Sequence, residues 1–263
     1  MLNSFHNQQP NLSMTAVTTD QAMFVFPDRL DIQKTPTGEF YTLFLRGLTH
    51  KLNNMLAVFQ GFSSLLLMND DLDASSRESL SHMKGAAQNA QGLAERIVAA
   101  GGCARLTLQR VQLSEYLSMI DSALREPFEK HSVPFELRAD PDLPVVEIDG
   151  ARFKELLVEI LRNAAEAVSE GGDNGEASME IYGPGRSPED TFDRIDVFVH
   201  STGTIREDKI QEIFKPFVST KDGSHYGIGL TVAAMLAQQM GLTLGARSED
   251  NRTTFWLSIP VAA

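Results

Sequence analysis

The chain has 263 residues, 42% of them hydrophobic, which is enough for one or two domains with a proper core. Its 23 basic residues against 35 acidic ones give a formal net charge of −12, which argues against nucleic acid or an anionic membrane surface as main partner. The single Cys103 excludes a disulfide framework and fits a reducing cytoplasm; with no long apolar run and no basic-then-apolar N-terminus, neither membrane insertion nor a signal peptide is expected.

Residues 1–35 are polar, rich in Asn, Gln and Thr, and read as a loose arm. Their one apolar cluster, Met23-Phe24-Val25-Phe26, is stopped by Pro27 and leaves open a peptide-sized interaction segment. A long helix is expected over 30–69, where Leu45, Leu48, Leu52, Met55, Phe59, Phe62 and Leu66 recur at steps of three and four. On that helix His50 and Asn54 fall on the side away from the seam. Taken alone, His50 is also what an ordinary solvated helix face would carry.

The polar turn 69–73 is followed by Ser75 and Glu78, a capping-box pattern that opens a second helix. There Leu80, Met83, Ala87, Ala90, Ala94 and Ile97 repeat the spacing, and Gly101-Gly102 ends it. The small residues predict room for Phe59 and Phe62 opposite. One hairpin has too little to bury its seam against, so two copies pairing as a four-helix bundle, a homodimer, are expected.

From residue 106 strands and helices alternate. Strands are expected at 106–113, 133–138, 145–148, 177–182, 194–200, 242–247 and 253–259, and helices at 114–130, 150–170, 209–213 and 229–240. The expected fold class is α+β: residues 36–102 form the antiparallel helical hairpin, and residues 103–263 a two-layer α/β sandwich with one mixed sheet.

Four segments carry the chemistry. In Glu159-Ile160-Leu161-Arg162-Asn163-Ala164, Glu159 and Asn163 share a helix face, and a carboxylate with an amide oxygen suits Mg²⁺; a polar face without a ligand accounts for them equally well. The others are 197–205 around Ser201 and Gly203, 213–221 ending in Lys221, and Tyr226-Gly227-Ile228-Gly229-Leu230, whose glycines permit close backbone approach to a phosphate chain.

His50-Lys51-Leu52-Asn53-Asn54 resembles the phospho-acceptor box of two-component histidine kinases. In order, the four later segments resemble the N, G1, F and G2 boxes of the ATP-binding domain shared by histidine kinases and gyrase-type ATPases, so the resemblance spans roughly residues 40 to 260. It implies a sandwich of histidine-kinase ATPase type in which ATP and Mg²⁺ phosphorylate His50, and the phosphoryl group passes to an aspartate of a response-regulator receiver domain. It also implies Asn163 as metal ligand, Lys221 as a contact from the lid between the F and G2 boxes, and Gly227 and Gly229 as phosphate-side donors. Glu159 matches the glutamate with which gyrase-type relatives activate a nucleophile, and Asn54 the residue that positions water for dephosphorylating the regulator.

Several positions depart from the pattern, among them the second G1 glycine, which is absent, and His225-Tyr226, which stand where the G2 box usually starts with glycine. The G1 aspartate is replaced by Ser201, or by His200 in the other possible register, and Lys51 stands where the family has a carboxylate base. The alternatives are therefore an ATP-dependent kinase, an ATP-independent histidine phosphotransferase whose nucleotide domain has decayed, and a scaffold that binds a receiver.

Overall fold

The computed structural model describes residues 22–26, 35–172, 175–189, 191–218 and 226–262. Chain order is β1 (Ala22–Val25), α1 (Pro36–Leu67), α2 (Ala74–Ala100), β2 (Gln109–Gln112), α3 (Leu113–His131), β3 (Phe135–Ala139), β4 (Val145–Ile148) and α4 (Gly150–Gly171). Then follow β5 (Ala177–Tyr182), β6 (Arg194–Thr202), α5 (Glu207–Ile210), α6 (Gly229–Gln239), β7 (Thr243–Glu249) and β8 (Arg252–Pro260).

Helix α1 starts at Pro36, later than the periodicity suggested, because Thr35 caps it by accepting from the Gly38 N–H at 3.0 Å and proline suits the first turn. The cap of α2 is Asp73, which accepts from the Ser76 N–H at 2.9 Å, and not Ser75. An aspartate two residues earlier offers the stronger acceptor and a negative charge at the helix N-terminus.

The two helices form the expected hairpin, but with the apolar seam turned outward. Leu48, Leu52, Met55, Phe59, Phe62 and Leu66 are exposed. The stripe facing α2 is Asn53, Leu56, Gln60, Ser63 and Leu67, with Ser63 buried and Gln60 Nε2 donating to Gln91 Oε1 at 3.0 Å. The alanines of α2, Ala87 and Ala94, are buried. They bring the backbones close and leave no space for Phe59 or Phe62 between the helices, contrary to the expectation.

The second module is a six-stranded sheet in the order β1-β7-β8-β6-β5-β3, antiparallel throughout except for the β3–β5 pair. Helices α3, α4 and α6 cover one face. The core lies between them, built on Phe153, Leu157 and Leu161 of α4, Ile195, Val197 and Val199 of β6, and Leu236 of α6. Strands β2 and β4 form a separate two-stranded ribbon, so the sheet is not one continuous unit as the sequence suggested.

Strand β1 is the other difference. The apolar cluster of the N-terminal arm, expected as part of a loose arm, pairs antiparallel with β7, Phe24 opposite Ala246, as the edge strand of the sheet. Alternation explains it: Phe24 and Phe26 pack on the core, while Met23 and Val25 face outward.

Candidate functional site

Helix α4 is fixed at its start by Asp149, whose Oδ1 accepts from the Arg152 N–H at 3.1 Å and whose Oδ2 accepts from the Thr107 N–H at 2.7 Å. Its apolar side then sinks into the core and its polar side, with Glu159, Asn163 and Glu166, opens into a cleft of about 610 Å³. That is a usual size for a small-molecule site. The end of α3 supplies Lys130 and His131, and Gly227 to Leu230 close the other wall.

The sequence segments therefore meet in part. Glu159, Asn163, Gly227 and Gly229 line one cleft. Ser201 and Gly203 stand outside its lining, as do His50 and Asn54, which are exposed on α1. Lys221 and His225 lie outside the described residues.

Of the two registers for the G1 position, Ser201 follows Ile195, Val197 and Val199 on the face toward the helices and is buried. His200 points to the opposite face, with Nδ1 at 2.8 Å from Thr254 Oγ1 and its ring stacked on Phe198. Burial, with the nearby Arg252 and Arg247, pulls its pKa from 6.5 down to about 4 despite Glu180. His200 is thus a neutral sheet residue remote from the cleft. Gly203 has φ +126, a backbone that glycine adopts without strain, and its N–H donates to the Asn251 carbonyl at 2.9 Å.

Glu159 is the most constrained group of the site. Its Oε2 accepts from Arg96 Nη2 of α2 at 2.8 Å, and Oε1 lies 3.3 Å from Arg162 Nη1. Burial outweighs both guanidiniums and holds the carboxyl above the usual range.

The same carboxylate explains Gly229, because a Cβ there would sit 2.6 Å from Glu159 Oε2 and 3.4 Å from Arg96 Nη2. Gly227 has φ +63, and its carbonyl accepts from the Phe217 N–H at 2.8 Å. Both G2 glycines thus have a steric reason independent of any ligand.

For a nucleotide with Mg²⁺ the residues fit in part. The first turn of α6 leaves backbone N–H groups without intrahelical partners, a phosphate-binding feature, and Arg162, Lys130 and Lys209 add positive charge. Asn163 offers an amide oxygen to the cleft. Glu159, already held by two arginines, does not fit as a metal ligand in this arrangement. Arg162 was visible in the sequence as the i+3 neighbour of Glu159. Arg96, 63 residues away, gave no sequence signal.

The cleft lies within the helix layer, between α4 with the end of α3 and the glycine-opened start of α6. Residues 148–263 match the profile described as histidine kinase-, DNA gyrase B-, and HSP90-like ATPase. The sensor histidine kinase ZraS of Salmonella typhimurium is 24% identical over 220 residues, covering 82% of this chain and 45% of that protein. The structure of full-length ShkA in complex with AMPPNP shares the fold at TM-score 0.68 and 22% identity, over 83% of this chain and 46% of that one. Histidine kinase ThkA in complex with response regulator protein TrrA shares it at TM-score 0.55 and 19% identity, over 89% of this chain and 66% of that one.

Residues 148–263 thus carry that ATPase domain, and with a helical hairpin ahead of it the chain is similar in sequence and organisation to two-component sensor histidine kinases. It spans less than half the length of ZraS. No helix among the described residues is long and apolar enough to cross a membrane.

Proposed function

We propose that this chain is the kinase portion of a two-component system, phosphorylating His50 from ATP and passing the phosphoryl group to a receiver aspartate. The observation that carries it is the joining of Asn163, Gly227 and Gly229 in one cleft, in a chain whose hairpin exposes His50. Mg·ATP, when bound, supplies the phosphoryl group.

Asn163 would hold the metal ion and the first turn of α6 the phosphate chain. A ring nitrogen of His50 then attacks the terminal phosphorus, the bond to the bridging oxygen breaks, and ADP leaves. Because His50 is not in the cleft, the ATPase domain must leave its docked position, or serve the hairpin of a second copy, before transfer. Lys51 cannot take the imidazole proton, so transfer is slow unless another group accepts it.

Receiver docking beside His50 is supported by the ThkA–TrrA complex, and Asn54, one turn along the same exposed face, would position water for the reverse reaction. A homodimer is supported by the outward apolar seam of α1. Cytoplasmic residence is supported by the single cysteine.

A second reading, phosphotransfer without ATP, is favoured by Ser201 at the G1 position and by the arginine pairing of Glu159. One experiment separates them. The chain is incubated with terminally labelled Mg·ATP or with a labelled phospho-receiver.

The kinase reading expects label from ATP, absent in His50→Gln and reduced about 10–100-fold in Asn163→Ala. Label from the receiver alone supports the second reading. Label retained in His50→Gln sinks both.

A further inference from the structure

We propose that the outer edge of β7, with the aromatic groove beneath it, is a docking surface for an extended Phe-x-Phe segment. Its occupant is the chain's own residues 22–26, and their seating sets the shape of the nucleotide cleft wall. The segment precedes the phospho-acceptor hairpin in sequence, yet it completes the sheet of the ATPase domain at the far end of the chain.

The groove is built around Phe214 of the F box, which is buried. Its ring meets Phe24 at 5.7 Å, Phe26 at 5.8 Å and Phe255 at 6.3 Å, so two of its aromatic neighbours come from the arm. The backbone adds the β1–β7 ladder, continued by the Phe26 N–H donating to the Leu244 carbonyl at 2.9 Å. Helix α5, just before the F box, also abuts β1.

From Phe214 the path to the cleft is short. Its carbonyl accepts from Thr231 Oγ1 at 3.0 Å, a buried bond to the first turn of α6. Three residues on, Phe217 has φ +63, uncommon for an aromatic residue, and its N–H reaches the Gly227 carbonyl. A Cβ on Gly227 would lie 2.9 Å from the Val218 carbonyl oxygen, and Gly227 and Val218 both line the cleft. Seating Phe24 and Phe26 therefore braces Phe214, and through it both the strained F-box turn and the start of α6.

The seat is of a kind that can be vacated. Among the described residues strand β1 has one neighbouring strand, and Met23 and Val25 are 48% and 42% exposed on its outward side. Edge strands held by a ladder and alternate side chains are the usual exchangeable form of peptide recognition. Any force on the chain ahead of α1 then reaches the nucleotide cleft without passing through the hairpin.

The test compares the full chain with Phe24→Ser/Phe26→Ser and, as an outward-facing control, Met23→Ser/Val25→Ser. Hydrogen exchange is read across residues 210–218 and 226–232, and Mg·ADP affinity by titration. The inward variant is expected to exchange about tenfold faster in both stretches and to bind Mg·ADP about tenfold more weakly, with the control unchanged. Unchanged exchange overturns the proposal, and faster exchange with unchanged affinity overturns the link to the cleft.

The affinity arm rests on the ATP reading. If the wild type binds no nucleotide, that reading falls while exchange at 226–232 still decides this one. Should the inward variant fail to fold, Met23→Cys with Arg247→Cys, opposite in register, locks the strand by a disulfide in a Cys103→Ser background. Oxidation is expected to slow exchange at 210–218, and equal rates before and after overturn the proposal.

Discussion

At Glu159 three facts about one carboxylate decide its role: it is buried, it is held by Arg96 and Arg162, and it leaves no room for a side chain at Gly229. A carboxylate and an amide four residues apart looked like a metal pair, and only the amide remains available for that. His200 gives the opposite lesson. Read as a candidate for the adenine contact, it is a partly buried sheet residue whose pKa falls to about 4, chiefly because burial disfavours the charged ring.

In the unfolded chain that imidazole takes a proton near pH 6.5, so the unfolded state binds more protons between pH 6.5 and 4. Stability is lost as pH falls through that window and is unaffected by this group above it. Across it the wild type is expected to lose about 1–2 kcal/mol more than His200→Gln in urea titrations, after allowing for the ring's partial exposure.

Among the elements, α1 shows how one helix carries two stripes with different partners. The stripe of Asn53, Gln60 and Ser63 meets α2 inside the chain, and the apolar stripe from Leu48 to Leu66 is left outward. Apolar side chains at such spacing gain about 1.5–3 kcal/mol each on full burial, a strong drive toward a second copy. Light scattering is expected to give about twice 29.0 kDa for the wild type, and the single-chain mass for Leu52→Asp/Phe59→Asp. A monomeric wild type would refute the bundle.

For the whole molecule, the hairpin is coupled to the ATPase domain by the packing of α2 on α6, by the apolar end of α2 and by polar contacts at the connection and the cleft. Arg46 donates from Nε to the Cys103 carbonyl at 2.8 Å, pinning the connection after α2, and Arg96 enters the cleft. The pairing of Gln60 with Gln91 and of Arg46 with Cys103 puts Arg96 level with Asn54, one turn from His50. Among the described residues, the docked state thus ties the cleft to the hairpin through the Arg96–Glu159 ion pair.

Because Glu159 keeps Arg162, losing Arg96 is expected to cost about 1–3 kcal/mol and not the full cost of an orphaned buried charge. The double-mutant cycle of Arg96→Gln with Glu159→Gln in urea unfolding checks it. A coupling energy near zero would show that the two modules dock without this pair.

The sequence by itself determined the module order, the hairpin, the helix bearing Glu159 and Asn163, and the glycines that open α6. These are written in local periodicity, caps and turn residues, which act over a few positions. Only the tertiary structure decided which stripe of α1 faces α2, since both stripes have helical spacing and the choice depends on how closely the alanines of α2 let the backbones approach. The same holds for the seat of Phe24 and Phe26 against Phe214 and for the pairing of Arg96 with Glu159. Each joins residues far apart in the chain, and no local rule connects a side chain to a partner that folding alone brings near.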